Sequence, residues 1–456
     1  MYRVWAVARV TLAQAVRMRV AAVIIVMLLV LLPVMSMALE GDKTLQGQLQ
    51  TFASYGLSLT SVLLSILTIL VSTHTVTTDL ARKHIYLVAS KPIRRFEILI
   101  GKLLGVVALD VLLLGTFGAI IYGLTILVPH ITDAPPDQVA RAEHEFFTSR
   151  VRLETPVDKE KIDRLVEESY QKLLSEDRVP EGFNEWQIRD MIRREVQSAE
   201  ATIGPSRVKR WEFRNVAVRD PNEVLYVRYK LRAIPQPAED QAVANWRLGD
   251  FRTLDTGRLT SETRPYYVSR KDALSTTLEF AAPADVVAPD GYVALEFFND
   301  PSQNYWSIIP SEVQLLYRSG TFTGNFWRVV AMILVRLVFL AAVGVSVSTW
   351  LSFPVAILIC LAVLMTGTIN GFIAESIDSL GQTLGFVYKF TVKPLLWFLP
   401  KFDGDFNPTR FVVDGRTLQW LVLGRAFLTT GVVRSAALML FGIWVFSRRE
   451  LAKAST

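Results

Sequence analysis

The residues with the most chemical potential lie between positions 79 and 110. Asp79 closes a long apolar run, and Arg82, Lys83 and His84 follow it among Ile85, Leu87 and Val88. Then come Ser90, Pro92, Arg94, Arg95, Glu97 and the pair Gly101-Lys102. Such a mixture suits binding and mechanical contact rather than catalysis. The chain has no G-x-x-x-x-G-K-[ST] loop, no G-x-G-x-x-G after a strand and no H-E-x-x-H or G-x-S-x-G element. Four His and one Cys argue against a multi-histidine metal site and a disulfide framework. Two further charges, Asp110 and Arg336, fall inside apolar runs, where an ionisable group is costly and normally faces a cavity or a partner. They could pair with one another or serve transport. His74 is expected to be a packing group.

These residues must be held by membrane helices. A span needs about 20 apolar residues. Six segments qualify: residues 20–39, 55–77, 98–128, 326–350, 352–374 and 428–446. Pro354 fits the first turn of the fifth. Hydrophobic residues make up 51% of the 456, and charged residues only 20%, against about 25% in soluble domains. Residues 130–325 hold 26 Lys and Arg against 32 Asp and Glu. The formal charge of +6 therefore belongs to the membrane parts and is no nucleic-acid signature. Residues 1–19, 78–102 and the C-terminal tail are basic and fall on one side if six helices cross. The positive-inside rule places that side, and both termini, in the cytoplasm. Residues 1–19 are expected as an interfacial helix rather than a cleaved signal. Phe386 to Leu399 contains Lys389, Lys393 and Pro394, so residues 382–420 read as re-entrant or surface-lying.

The expected fold is thus an α-helical polytopic membrane protein with six transmembrane helices and an extracytoplasmic α+β domain. The domains are 1–129, 130–325 and 326–456. Within the middle one, residues 158–203 are helical: Ile162, Leu165, Val166, Tyr170, Leu173 and Leu174 recur at helical spacing. From 205 to 320 the period is two. Leu225, Val227, Tyr229 and Leu231 alternate with Tyr226, Arg228, Lys230 and Arg232, and Val293, Leu295, Phe297 and Val313, Leu315, Tyr317 repeat the pattern. This predicts a β-sandwich whose spacing resembles a jelly roll. Trp211, Tyr226, Trp246, Tyr266, Tyr267 and Trp306 could stack on a ligand, but core packing plus scattered surface rings is the preferred reading.

The stretch from Asp79 to Gly105 resembles the membrane subunits of ABC transporters of the ABC-2 type. In that family an acid ends the second span. A short cytoplasmic helix follows, then a Ser-x-Pro-x-Arg turn, an acid and a Gly-Lys pair. Here these positions are Asp79, Ser90, Pro92, Arg94 or Arg95, Glu97 and Gly101-Lys102. The family more often has Glu at the position of Asp79. Leu399-Pro400, Phe406-Asn407, Asp414-Gly415 and the closing Phe446 to Leu451 also resemble it; the middle domain is an insertion. The resemblance implies a permease subunit for export or envelope remodelling. ATP and Mg would be bound by a separate ATP-binding subunit, with no cofactor in this chain. A second permease subunit, as homodimer or heterodimer, would complete the path among membrane lipids. The helix after Asp79 would be the coupling element: Ile85, Leu87 and Val88 would dock on the ATPase, and Arg82 and Lys83 would meet its acids. From charge alone an ordinary topology-setting loop is the preferred reading, and the Pro-Arg-acid-Gly-Lys order turns it to coupling. The rival expectation is a membrane-anchored sensor or ligand-binding protein that works through the sandwich.

Overall fold

The computed structural model describes residues 2–38, 44–81, 94–132, 134–136, 138–139, 142, 146–154, 159–176, 185–218, 223–252, 265–302, 307–378, 400–403, 407–413 and 415–448. The chain divides into two compact units, residues 1–148 with 321–456, and residues 149–320.

The first unit is helical. In chain order it holds α1 (Tyr2–Val16), α2 (Arg19–Ala38), α3 (Leu45–Ala81) and α4 (Arg95–Ile131). After the second unit come α7 (Phe322–Val347), α8 (Phe353–Asp378), the short α9 (Pro408–Val413) and α10 (Trp420–Arg448). Six of these, α2, α3, α4, α7, α8 and α10, are long and apolar enough to cross a membrane. Central and peripheral helices separate by burial. The most apolar windows of α7 and α3 are 78% and 67% buried, whereas those of α2, α8 and α10 are 28% buried. The outward residues of these peripheral helices are themselves apolar: Val23 and Val30, Leu358 and Met365, Leu440 and Trp444 are all exposed. Water would not tolerate so continuous an apolar surface; lipid would. Leu64, Leu109, Phe117, Phe326 and Leu337 fill the core where α3, α4 and α7 meet.

Three details shape this unit. Ser352 accepts the N–H of Ala356 at 2.9 Å, so α8 starts where Pro354 fits its first turn. In α10 a π-helical stretch spans Phe427–Arg434, and Ser435 Oγ donates to the Thr430 carbonyl at 3.0 Å. Asn325 docks the chain after α9, donating to the Arg416 carbonyl and accepting the Leu418 N–H, both at 2.7 Å. Of the segment expected to be re-entrant or surface-lying, 382–420, residues 382–399, 404–406 and 414 lie outside the described residues.

The second unit begins with β1 (Thr148–Glu154), then the helices α5 (Lys159–Ser175) and α6 (Glu185–Ala201). Seven strands follow: β2 (Val208–Phe213), β3 (Val224–Ile234), β4 (Gln241–Gly249), β5 (Tyr266–Ala273), β6 (Thr277–Pro283), β7 (Val293–Phe298) and β8 (Ser307–Thr321). With β1 they form two antiparallel four-stranded sheets, ordered β1-β8-β3-β6 and β2-β7-β4-β5. β3 follows its alternation: Leu225, Val227, Tyr229 and Leu231 are buried and join Trp246, Phe280 and Phe297 in the core. Between Arg228 and Lys230 the register with β8 slips by one residue, and Glu312 there takes φ 53°, the signature of a bulge. α5 and α6 pack on one another through Val166, Tyr170, Ile188 and Ile192.

Two sequence expectations are corrected here. The sheets are not confined to 205–320, because β1, upstream of the helices, pairs with β8 and covers what would be an open edge. The contact boundary also falls inside 130–325: Phe146 and Phe147 pack on Phe322 within the helical unit.

Candidate functional site

The start of α4 is where the helical unit is tied together. Lys102, in its second turn, is buried, and its Nζ lies 2.5 Å from Asp79 Oδ2 at the end of α3 and 2.6 Å from the Thr75 carbonyl. The ends of α3 and α4 are thus joined by a largely desolvated ion pair, which is costly to break from one side. Glu97 Oε2 accepts the Arg94 N–H at 2.8 Å, placing an acid at the positive end of the helix. Arg95 Nη1 donates to the carbonyls of Phe446 and Ser447, at 3.1 and 2.8 Å, so a cation caps the last turn of α10.

Gly101 and Gly105 complete the junction. A Cβ at Gly101 would stand 2.6 Å from Val7 Cβ and 2.9 Å from the Val4 carbonyl; at Gly105 it would stand 2.7 Å from the Ala8 carbonyl. Only two glycines one turn apart let α1 lie this close to α4. Asp79, Arg94, Arg95, Glu97 and Lys102 therefore meet at one end of the helical unit. Arg82, Lys83, Ile85, Leu87, Val88 and Pro92 lie outside the described residues.

Beside this junction is a cavity of about 260 Å³. Gln14 in the last turn of α1 and Arg17 and Met18 in the turn after it wall it from one side; His74, Thr75, Thr78 and Asp79 wall it from α3. His74 packs edge-on against Phe353, with 5.8 Å between ring centroids.

Asp110 and Arg336 are not partners. Asp110 is fully buried and accepts from Thr68 Oγ1 at 2.7 Å, while its Oδ2 has no hydrogen-bond partner among the described residues. Arg336 lies over the Phe402 ring, 4.8 Å from its centroid, and its Nε is likewise without one. Each faces a different neighbour, α3 in one case and the stretch before α9 in the other. Sequence reasoning missed the company Asp110 keeps. Ser61, Ser65, Thr68, Ser72 and Thr75 are buried along one face of α3, which ends at Asp79. Their spacing of four and three residues was the available signal. Ser65 and Ser72 donate to carbonyls of their own helix, which lets hydroxyls lie in an apolar interior.

In the sheet unit Trp246 is buried against Tyr229 and Phe297, and Trp211 packs 6.0 Å from it. Tyr226 lies under the Arg150 guanidinium. Of the six aromatic candidates Tyr267 stands out from the surface, 66% exposed, and Trp306 lies outside the described residues. Among the described residues no three His, Cys, Asp or Glu gather as a metal set would require. The arrangement suits mechanical transmission between helices and the holding of a small polar group. No family model, curated protein or solved structure matches the chain.

Proposed function

We propose that the chain is the membrane subunit of an ABC transporter of the ABC-2 type, exporting a substrate or remodelling the envelope with energy from a separate ATP-binding subunit. The observation that carries this reading is the Asp79–Lys102 pair. It brackets the loop whose residue order resembles the family's coupling segment. A push on that loop would reach α3 through Asp79, α4 through Lys102, α1 through the glycine contacts and α10 through Arg95. Six helices of spanning length and an apolar outer surface supply the membrane part. The basic bias of residues 1–19 and 78–102 favours a cytoplasmic loop and an outside sheet unit.

The experiment has two arms. Cys360 is the sole cysteine and is buried, so a Cys360→Ser chain carrying Tyr267→Cys reports the side of the sheet unit. Labelling by an impermeant maleimide in intact cells is expected; labelling only after lysis would reverse the topology. In the second arm the chain is co-purified with a candidate ATP-binding subunit, with and without Ile85→Asp and Leu87→Asp together. Burying two unpartnered carboxylates costs several kcal/mol, so loss of the complex is expected. Retained assembly and unchanged substrate-stimulated hydrolysis would show that this loop is not the coupling element.

A further inference from the structure

We propose that the cavity between α1, the turn after it and the end of α3 binds the phosphate ester of an anionic membrane-lipid headgroup. The first argument is the state of its donors. Gln14, Arg17 and Thr78 all line it, the first two exposed and the third half-buried, and none of the three side chains has a hydrogen-bond partner among the described residues. A guanidinium, an amide and a hydroxyl around one space form a donor set for phosphate oxygens. The one acid in the wall does not oppose an anion. Asp79 is engaged by Lys102 at 2.5 Å, so Arg17, Lys102 and Asp79 together leave one positive charge.

The second argument is depth. Arg17 precedes α2 by two residues, and Val20, Val23 and Val26 in the first turns of α2 are exposed apolar side chains. Thr78 and Asp79 lie in the last turn of α3, a helix of spanning length. The cavity is therefore level with the place where apolar surface begins, which is the depth of lipid phosphates. α1 suits the same level. Its exposed Tyr2, Trp5 and Val10 lie among Arg3 and Arg9, a composition that favours an anionic interface.

The third argument is size. A volume of about 260 Å³ falls just short of the roughly 300 Å³ at which drug-sized pockets begin. It suits a headgroup phosphate with its glycerol and is small for a nucleotide. A soluble phosphate ester shares this chemistry, and depth decides for the lipid.

The test uses the full-length chain in nanodiscs of phosphatidylcholine doped with phosphatidylglycerol, and counts retained lipid by native mass spectrometry after release. The wild type is expected to keep phosphatidylglycerol selectively. Arg17→Gln removes a charged donor and should lower that retention about tenfold. Arg9→Gln removes the same charge from an exposed site of α1 outside the cavity and should leave it unchanged. Equal losses in the two variants, or no loss in Arg17→Gln, would overturn the proposal. Thr78→Val provides a second variant should Arg17→Gln unfold at a lower temperature in pure phosphatidylcholine; undiminished retention there would again overturn it. Glycerol phosphate is added to lipid-free chain in the last arm. Protection from thermal unfolding, with no selective lipid retained by the wild type, would assign the cavity to a soluble ester and overturn the lipid source. The inference rests on the membrane placement and not on the partner ATPase, so it can fail while ATPase coupling stands, and the reverse.

Discussion

Replacing Gly105 by Ala tests the helix junction directly. Inside a helix the change normally stabilises by about 0.5–1 kcal/mol, because alanine loses less backbone entropy. Here the new methyl would meet the Ala8 carbonyl at 2.7 Å and Thr11 Cβ at 2.7 Å. An ordinary contact begins near 3.4 Å, so α1 must retreat by about 0.7 Å at this point. Thr11 cannot turn aside without loss, because its Oγ1 donates to the Val7 carbonyl at 2.9 Å. Overpacking of this kind costs about 1–3 kcal/mol. Gly115, on the same helix, has nothing within 4 Å of a built Cβ, and Gly115→Ala should show only the favourable propensity. The two variants should therefore differ by about 2 kcal/mol in unfolding free energy, with Gly105→Ala below the wild type and Gly115→Ala at or above it. Thermal unfolding in one detergent measures the order. A cysteine at the fully buried Ala15 in a Cys360→Ser background reports whether α1 has lifted, through faster maleimide labelling in Gly101→Ala/Gly105→Ala. If Gly105→Ala proves as stable as Gly115→Ala and Ala15→Cys stays protected, α1 is not seated on α4 as described.

Other outcomes follow from single interactions. Asp79→Asn or Lys102→Met alone should destabilise by about 3–5 kcal/mol, and the double variant should recover much of the loss, since removing both charges also removes their desolvation cost; melting temperatures of the three chains check this. Thr68→Val deprives Asp110 Oδ1 of its donor and should cost about 1–3 kcal/mol, read in the same assay. Trp246→Ala, in the centre of the sheet core, should cost about 3–5 kcal/mol and speed hydrogen exchange in β3, β4 and β7. The Arg252 guanidinium beside Asp250 and Asp290 holds both carboxyls below the usual carboxylate range. A carboxyl depressed in the folded state adds stability above its unfolded value and loses it as pH falls through the folded value. The protection factors of amides around residues 241–252, taken relative to the unstructured exchange rate at each pH, should therefore fall in acid, and Arg252→Ala should make that fall smaller.

How much was legible depended on whether a property belongs to one segment or to a pair. The six apolar segments stood out because crossing the hydrocarbon requires about 20 consecutive apolar residues whatever their neighbours. The helices at 159–175 and 185–201, and strands β3, β7 and β8, were visible through apolar residues at a fixed period. β4 was missed although Ala242, Ala244, Trp246 and Leu248 alternate, because two of its inward residues are small. β1 was missed because a strand apart from the rest is recognisable only by the edge of β8 that it covers. At the site, the sequence alone picked out Asp79, Arg94, Arg95, Glu97 and the Gly101-Lys102 pair, and a glycine on a helix face leaves room for another helix. That the helix is α1, that Asp79 meets Lys102, that Arg95 caps α10 across 351 residues of chain and that Asp110 turns to Thr68 rather than Arg336 were decided by the tertiary structure. Partners are a property of two surfaces brought into register by packing. The apolar spans that carry these residues specify burial but not which side chain each buried charge will find.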